Sequence, residues 1–126
     1  MLQLLLPGTN NFYYGDELGM KNLPNDSMVP PQRGAMQWDD TANSGFTSAA
    51  NSKVPVNSDY NNINWAKQYS QEQSALKMFS KLSKLRTRDD ALMSGQTLMG
   101  RLVDGGFTIV RFSQHENVTT GSVSSL

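Results

Sequence analysis

The sequence predicts a chain of the α/β class, and three observations carry that expectation. The apolar run Leu2-Gln3-Leu4-Leu5-Leu6 meets a Pro7-Gly8 stop and then the aromatic run Phe12-Tyr13-Tyr14, the order of a helix end, a turn and a short buried strand. Ala75, Met78, Phe79, Leu82 and Leu85 recur at helical spacing and predict an amphipathic helix over residues 70–88. Asp104-Gly105-Gly106 lies between Leu98–Val103 and Phe107–Phe112, a strong signal for an antiparallel hairpin.

Each element follows from its local chemistry. The N-terminal apolar run has no basic flank and is too short for a signal peptide, so it reads as the last turns of a buried helix. Nothing in the chain approaches the roughly 18 apolar residues of a membrane span. Residues 21–64 hold four of the five prolines and most of the asparagines, with no helical or strand period. A loop that long inside a compact domain is either functional or disordered. Ser70 with Gln73 fits a capping box at the start of the amphipathic helix. Lys77, Lys81, Lys84 and Arg88 share another face of it, either an anion-binding patch or a solvated face whose charge suits a helix C-terminus. The absence of any basic surplus in the chain favours the solvated face. The tail from Gly121 is expected to fray. A lone two-stranded hairpin is marginal in water, so the hairpin is expected to open a larger sheet.

Composition narrows the function. At 126 residues the chain allows one domain at most. Eleven Lys+Arg balance eleven Asp+Glu, which argues against a nucleic-acid partner. With no Cys and one His, neither a disulfide framework nor a multi-histidine metal site is available, and no residue pattern calls for a cofactor. His115, beside Glu116, reads as a solvated strand-end residue. Leu, Ile, Val and Phe make up about a fifth of the chain, only just above the level at which disorder is expected. An independent core is marginal on these numbers, and the chain reads as a piece of a larger fold.

Three stretches, in order, carry a resemblance. The first runs from Leu6-Pro7-Gly8-Thr9 through Tyr13-Tyr14-Gly15-Asp16-Glu17-Leu18-Gly19-Met20. The second is Arg33-Gly34-Ala35-Met36-Gln37-Trp38-Asp39-Asp40, followed by Asn43-Ser44-Gly45-Phe46-Thr47. The third is Val54-Pro55-Val56-Asn57-Ser58-Asp59-Tyr60 through Ile63-Asn64. Together they resemble the α-amylase family (glycoside hydrolase family thirteen), in its α-glucosidase-like or maltase-like branch. The same segments are similar to the heavy subunits of heteromeric amino-acid transporters, of the rBAT and 4F2 type.

The resemblance implies the C-terminal end of a (β/α)8 TIM barrel over residues 1–93, followed over 94–126 by the first hairpin of a small antiparallel β domain. A whole barrel of this kind needs about 250 residues. The family's nucleophile Asp, acid/base Glu and stabilising Asp belong to earlier strands, so the resemblance implies no catalytic residue in this chain. It implies an α-glucoside substrate for an intact enzyme-type protein, or a membrane transporter light chain as partner for a heavy-chain-type one. Either would be secreted or membrane-anchored and extracellular. Arg33, Gln37 and Trp38 match the loop lining the outer part of the sugar pocket. Their alternative is a surface loop held by an Arg–Asp pair. Asp16 and Glu17 would sit at the end of the last barrel strand, where barrel active sites lie. Neighbouring strand residues point to opposite faces, so the two cannot serve one proton-transfer site. They either support the pocket wall or are solvated turn charges.

Asn25-Asp26-Ser27 and Asn117-Val118-Thr119 are acceptor patterns for N-glycosylation, which matter only in an extracellular protein. The chain departs from the family pattern at Asn10-Asn11, at Ala35 and at Lys53, where Pro-Phe, Pro and Trp are usual.

Overall fold

A computed structural model describes residues 2–100, 106–115 and 118–125. The chain divides into two compact units: residues 11–79, and residues 1–10 together with 80–126.

The first unit, residues 11–79, is built mostly from irregular chain. Short 3₁₀ turns at Pro31–Arg33, Ala42–Gly45 and Ser58–Asn61 interrupt the loop predicted over 21–64. Buried Leu18, Leu23, Ala35 and Met36 form its apolar core. So little apolar volume cannot organise this much backbone, and buried polar side chains do the rest. Segment 34–39 is the organiser. Ala35 N–H donates to the Pro55 carbonyl at 2.8 Å, and Trp38 N–H donates to the Ser44 carbonyl at 2.9 Å. Helix α1, Trp65–Ser70, starts on this segment. Its first amides, of Trp65 and Ala66, donate to the carbonyls of Gln37 and Trp38, each at 2.9 Å. Asn64 caps it by accepting from Lys67 N–H at 2.8 Å. Buried Gln68 ties three segments together. Its Nε2 donates to the Leu18 carbonyl at 2.7 Å, and its Oε1 accepts from Leu76 N–H at 2.9 Å.

Two expectations fail in this unit. Phe12-Tyr13-Tyr14 forms no strand, and all three rings are exposed. A barrel strand needs neighbours to complete its ladder, and these residues pair with none of the described strands. Their backbone enters a turn instead, with Asp16 N–H donating to the Tyr13 carbonyl at 3.1 Å. Phe12 packs edge-on against Phe79, with ring centroids 5.0 Å apart. The amphipathic helix starts later than expected. Helix α2 is Ala75–Arg88, and Ser74 accepts from Lys77 N–H at 3.2 Å. Ser70 instead closes α1, its hydroxyl donating to the Lys67 carbonyl. The apolar stripe of α2 contains no fully buried residue, and Met78 and Leu85 are about half exposed.

The second unit holds a three-stranded antiparallel sheet of order β1-β2-β3, with β1 Gln96–Met99, β2 Thr108–His115 and β3 Val118–Ser125. Gln96 pairs with Phe112 and Met99 with Ile109, while Thr108 pairs with Ser125 and His115 with Val118. The expected antiparallel pairing is present, with β1 starting two residues before the expected Leu98; residues 101–105, with the Asp104-Gly105 turn, lie outside the described residues. The expectation of a frayed tail is overturned, because Val118–Ser125 form a third strand along β2. Its β-branched Val118, Thr119, Thr120 and Val123 suit that state.

Helix α3, Asp90–Ser94, precedes the sheet and is capped by Asp89, which accepts from Leu92 N–H at 3.0 Å. Ala91, Leu92 and Ile109 are buried. The N-terminal run forms only a 3₁₀ turn at Leu2–Leu4 rather than α-helical turns, with Leu4 buried. The Arg86 guanidinium donates to the carbonyls of Leu4, Leu6 and Gly8 at 2.7–2.8 Å, satisfying acceptors of the kind a helix C-terminus leaves open.

Candidate functional site

The first unit contains a cleft of about 490 Å³. Gly34, Ala35 and Met36, from the segment that organises the unit, line it together with Trp38, Phe46 and Val54. Tyr14, Glu17 and Arg33 complete it. Three of the five residues expected to face substrate therefore come together here: Glu17, Arg33 and Trp38.

Their states differ. Arg33 is exposed, with no hydrogen-bond or ion-pair partner for its guanidinium among the described residues. Trp38 is about half exposed, while its backbone carbonyl holds the start of α1. Glu17 is half-buried, and its Oε2 accepts from Gly15 N–H at 2.9 Å. The Tyr14 hydroxyl donates to the Gly34 carbonyl at 2.8 Å, tying two cleft residues together. Burial raises the Tyr14 phenol above its ordinary pKa, aided by Tyr13 and opposed by the Arg33 charge.

The other two residues lie elsewhere. Asp16 is exposed in the turn and outside the cleft lining, its Oδ2 accepting from Tyr13 N–H at 2.9 Å. Gln37 is 0 % exposed. Its Nε2 donates to Asp59 Oδ1 at 3.0 Å, holding segment 34–39 against the turn at Ser58–Asn61. Beside this contact, Lys21 Nζ stands 3.9 Å from Asp59 Oδ2. Asn25 is exposed in a turn where Ser27 N–H donates to the Pro24 carbonyl. Asn117 and Glu116 lie outside the described residues.

The sequence reading missed Tyr14, Met36, Phe46 and Val54 as cleft residues. All four sit within the quoted motifs, and the signal was their apolar character beside Arg33 and Trp38. The expected Arg33–Asp pair is not formed, because Asp39 is engaged locally. Its Oδ1 accepts from both the amide and the hydroxyl of Thr41, at 2.9 and 2.5 Å. Those bonds, that to the hydroxyl first, hold the Asp39 carboxyl below the usual carboxylate range. Chemically, the cleft offers one carboxylate, one guanidinium and several ring faces. That set can bind and orient a ligand. Among the described residues it has no second carboxyl of the kind that general acid/base or nucleophilic glycoside chemistry requires.

Comparison with known proteins gives a consistent pattern. The family described as alpha amylase, catalytic domain, matches residues 1–95. The chain is 39% identical over 102 residues to the human amino acid transporter heavy chain SLC3A1, covering 75% of this chain and 15% of that protein. It is 33% identical over 104 residues to an alpha-glucosidase of Apis mellifera, covering 68% of this chain and 18% of the relative. It thus spans less than a fifth of the length of either. Among solved structures, a trehalulose synthase MutB mutant in complex with Tris superimposes with a TM-score of 0.76 at 24% identity. That match covers 97% of this chain and 28% of the other, and it speaks for the fold of the segment alone.

Proposed function

The chain belongs to the alpha-amylase catalytic-domain family, and from that premise we propose that its cleft is a non-catalytic wall of an α-glucoside pocket in a longer, maltase-like protein. Residues 1–93 then form the end of the barrel and 94–126 the opening of the β domain. Arg33 and Trp38 meet the ligand, Glu17 stiffens the turn beside it, and Gln37 sets the position of Trp38 from behind. Asp16 supports the turn and takes no part in binding. The bond-breaking carboxyls come from outside these residues. The observation that carries the reading is the cleft itself, where exposed Arg33 and half-exposed Trp38 stand beside the single carboxylate that lines it among the described residues, already engaged by a backbone amide.

The half-exposed stripe of α2 supports membership in a longer fold, since Met78 and Leu85 would be covered by further barrel elements. The test is a segmental exchange, placing residues 11–79 in the matching region of the Apis mellifera alpha-glucosidase. The exchanged enzyme is expected to hydrolyse maltose, and Trp38→Ala in it to raise KM about tenfold with kcat little changed. An unchanged KM would overturn the assignment.

A second reading has its own support. Identity to the transporter heavy chains is 34–39%, against 32–34% for the insect alpha-glucosidases and maltase. On this reading the segment belongs to a non-enzymatic heavy subunit that pairs with a transporter light chain. Light-chain pairing retained after the exchange into human SLC3A1, with loss of hydrolysis in the alpha-glucosidase, would favour it.

A further inference from the structure

Gln37 lies between two cleft residues, Met36 and Trp38, but takes no part in the lining. Its side chain is fully buried, and its Nε2 donates to Asp59 Oδ1 at 3.0 Å. That link is short of donors. Gln37 Oε1 is buried with no hydrogen-bond partner among the described residues, and Asp59 Oδ2 is buried in the same state. Buried polar atoms are almost always bonded, and an acceptor sealed from water without a donor is costly, a carboxylate oxygen most of all. The two unpartnered oxygens belong to the two groups that one hydrogen bond joins, so a single donor-rich cation placed beside that bond serves both.

Lys21 is the cation at hand. Its Nζ stands 3.9 Å from Asp59 Oδ2, beyond hydrogen-bond reach, with its side chain 73 % exposed. An exposed pair at that separation contributes little as it stands. The backbone of Lys21, however, is pinned beside Asp59. Asn57 Nδ2 donates to the carbonyls of Lys21 and Asn22, each at 3.1 Å, and Asn57 directly precedes the Ser58–Asn61 turn that carries Asp59. A lysine stem is flexible, and its ammonium has three donors and no acceptor, which suits two unpartnered oxygens. From Gln37 the constraint passes to the cleft. The Gln37 carbonyl accepts from Trp65 N–H, and the next amide, of Trp38, donates to the Ser44 carbonyl, both at 2.9 Å.

We propose that Lys21 is a positioning residue for the cleft: its ammonium moves in from 3.9 Å, donates to Asp59 Oδ2 and Gln37 Oε1, and so fixes the Gln37 side chain and, through it, Trp38. Lys21 itself touches no ligand. What Trp38 meets rests on the α-glucoside reading above; the lock on Gln37 does not.

The test is NMR on the nitrogen-15-labelled full 126-residue chain, with Lys21→Met and Lys21→Arg beside it. Lys21→Met keeps the stem and removes the charge at an exposed side chain, so the fold is retained. The wild type is expected to show a Lys21 ammonium signal, which is visible only when hydrogen bonding slows proton exchange. In Lys21→Met the Gln37 side-chain amide is expected to exchange at least tenfold faster and the Trp38 indole signal to shift, with Lys21→Arg recovering most of both. Maltose is then titrated, and Lys21→Met is expected to weaken its binding at least threefold. Absence of the Lys21 ammonium signal in the wild type, or a Gln37 amide and Trp38 indole unmoved in Lys21→Met, overturns the proposal. So does failure of Lys21→Arg to recover either signal, which assigns the effect to the stem and not the charge. Maltose bound equally by the wild type and Lys21→Met overturns the positioning role and leaves the glucoside reading standing. The expected Lys21 signals with no response to maltose in any chain overturn the glucoside reading and leave the lock in place.

Discussion

Arg111 provides the sharpest test of how the second unit is held together. It is 2 % exposed, on β2, and it donates four hydrogen bonds. Nε and Nη2 reach the Ala91 carbonyl at 3.2 and 3.0 Å, Nη2 reaches the Leu92 carbonyl at 3.1 Å, and Nη1 reaches Thr97 Oγ1 at 2.6 Å. The two carbonyls belong to helix α3, so the cation sits toward the negative end of that short helix, adding a donor to the Ala91 carbonyl and satisfying that of Leu92. Burial, with the charge of Arg86 second, lowers the Arg111 pKa. A hydrogen bond to a charged group contributes about 1.5–3 kcal/mol, and these four are not additive. Ala91 keeps a second donor, Gly95 N–H, at 3.1 Å. Leu92 loses its guanidinium donor, a penalty of about 1–3 kcal/mol, and the space of the side chain becomes a cavity. Arg111→Ala is therefore expected to destabilise by about 3 kcal/mol, a shift of roughly 1–2 M in the urea midpoint. Arg111→Lys, with one donor site in place of the planar fork, is expected to lose about half as much. The assay is urea unfolding followed by far-ultraviolet circular dichroism. A shift corresponding to less than about 0.5 kcal/mol for the alanine variant would refute the reasoning.

Three further outcomes follow from named contacts. Gly45 has φ +66°, and an added Cβ would lie 2.6–2.7 Å from the Asp39 carboxylate; Gly45→Ala is expected to cost about 1–2 kcal/mol and to weaken the Asp39–Thr41 contact, read from the Thr41 amide shift. The Asp39 carboxyl titrates below the usual range, so its contribution to stability is present above the unfolded-state pKa and fades as pH falls through the lower folded value; carbon-13 titration checks this, and Thr41→Val is expected to move the midpoint upward. At Gly95 a Cβ would collide with the carbonyls of Ala91 and Phe112; Gly95→Ala is expected to cost more than about 2 kcal/mol and to weaken amide protection across β1, as hydrogen exchange would report.

The sequence made the site legible through motifs and left its geometry largely hidden. The loop over 21–64, the amphipathic helix and the antiparallel pairing of β1 with β2 were readable because composition, 3.6-residue spacing and turn residues signal them locally. Phe12-Tyr13-Tyr14 misled because an aromatic run has the same composition whether or not a neighbouring strand is there to receive it. Ser70 and Ser74 compete as caps four residues apart, and the choice was made by Gln68, which takes the Leu76 amide. Gln37 looked like a substrate contact by its motif and is a buried strut, a distinction that depends on Asp59 lying 22 residues away in sequence. The third strand was missed because Val118–Ser125 is rich in Ser and Thr, which read as a polar tail until β2 offers a partner edge.

The central claim is that these residues supply a binding wall and no bond-breaking group. Glucose release from maltose by the purified 126-residue chain tests it most directly. The account expects no release above the buffer rate over prolonged incubation, because Glu17 is the single carboxylate lining the cleft among the described residues and Asp16 lies outside it. Sustained release that disappears in Glu17→Gln would contradict it.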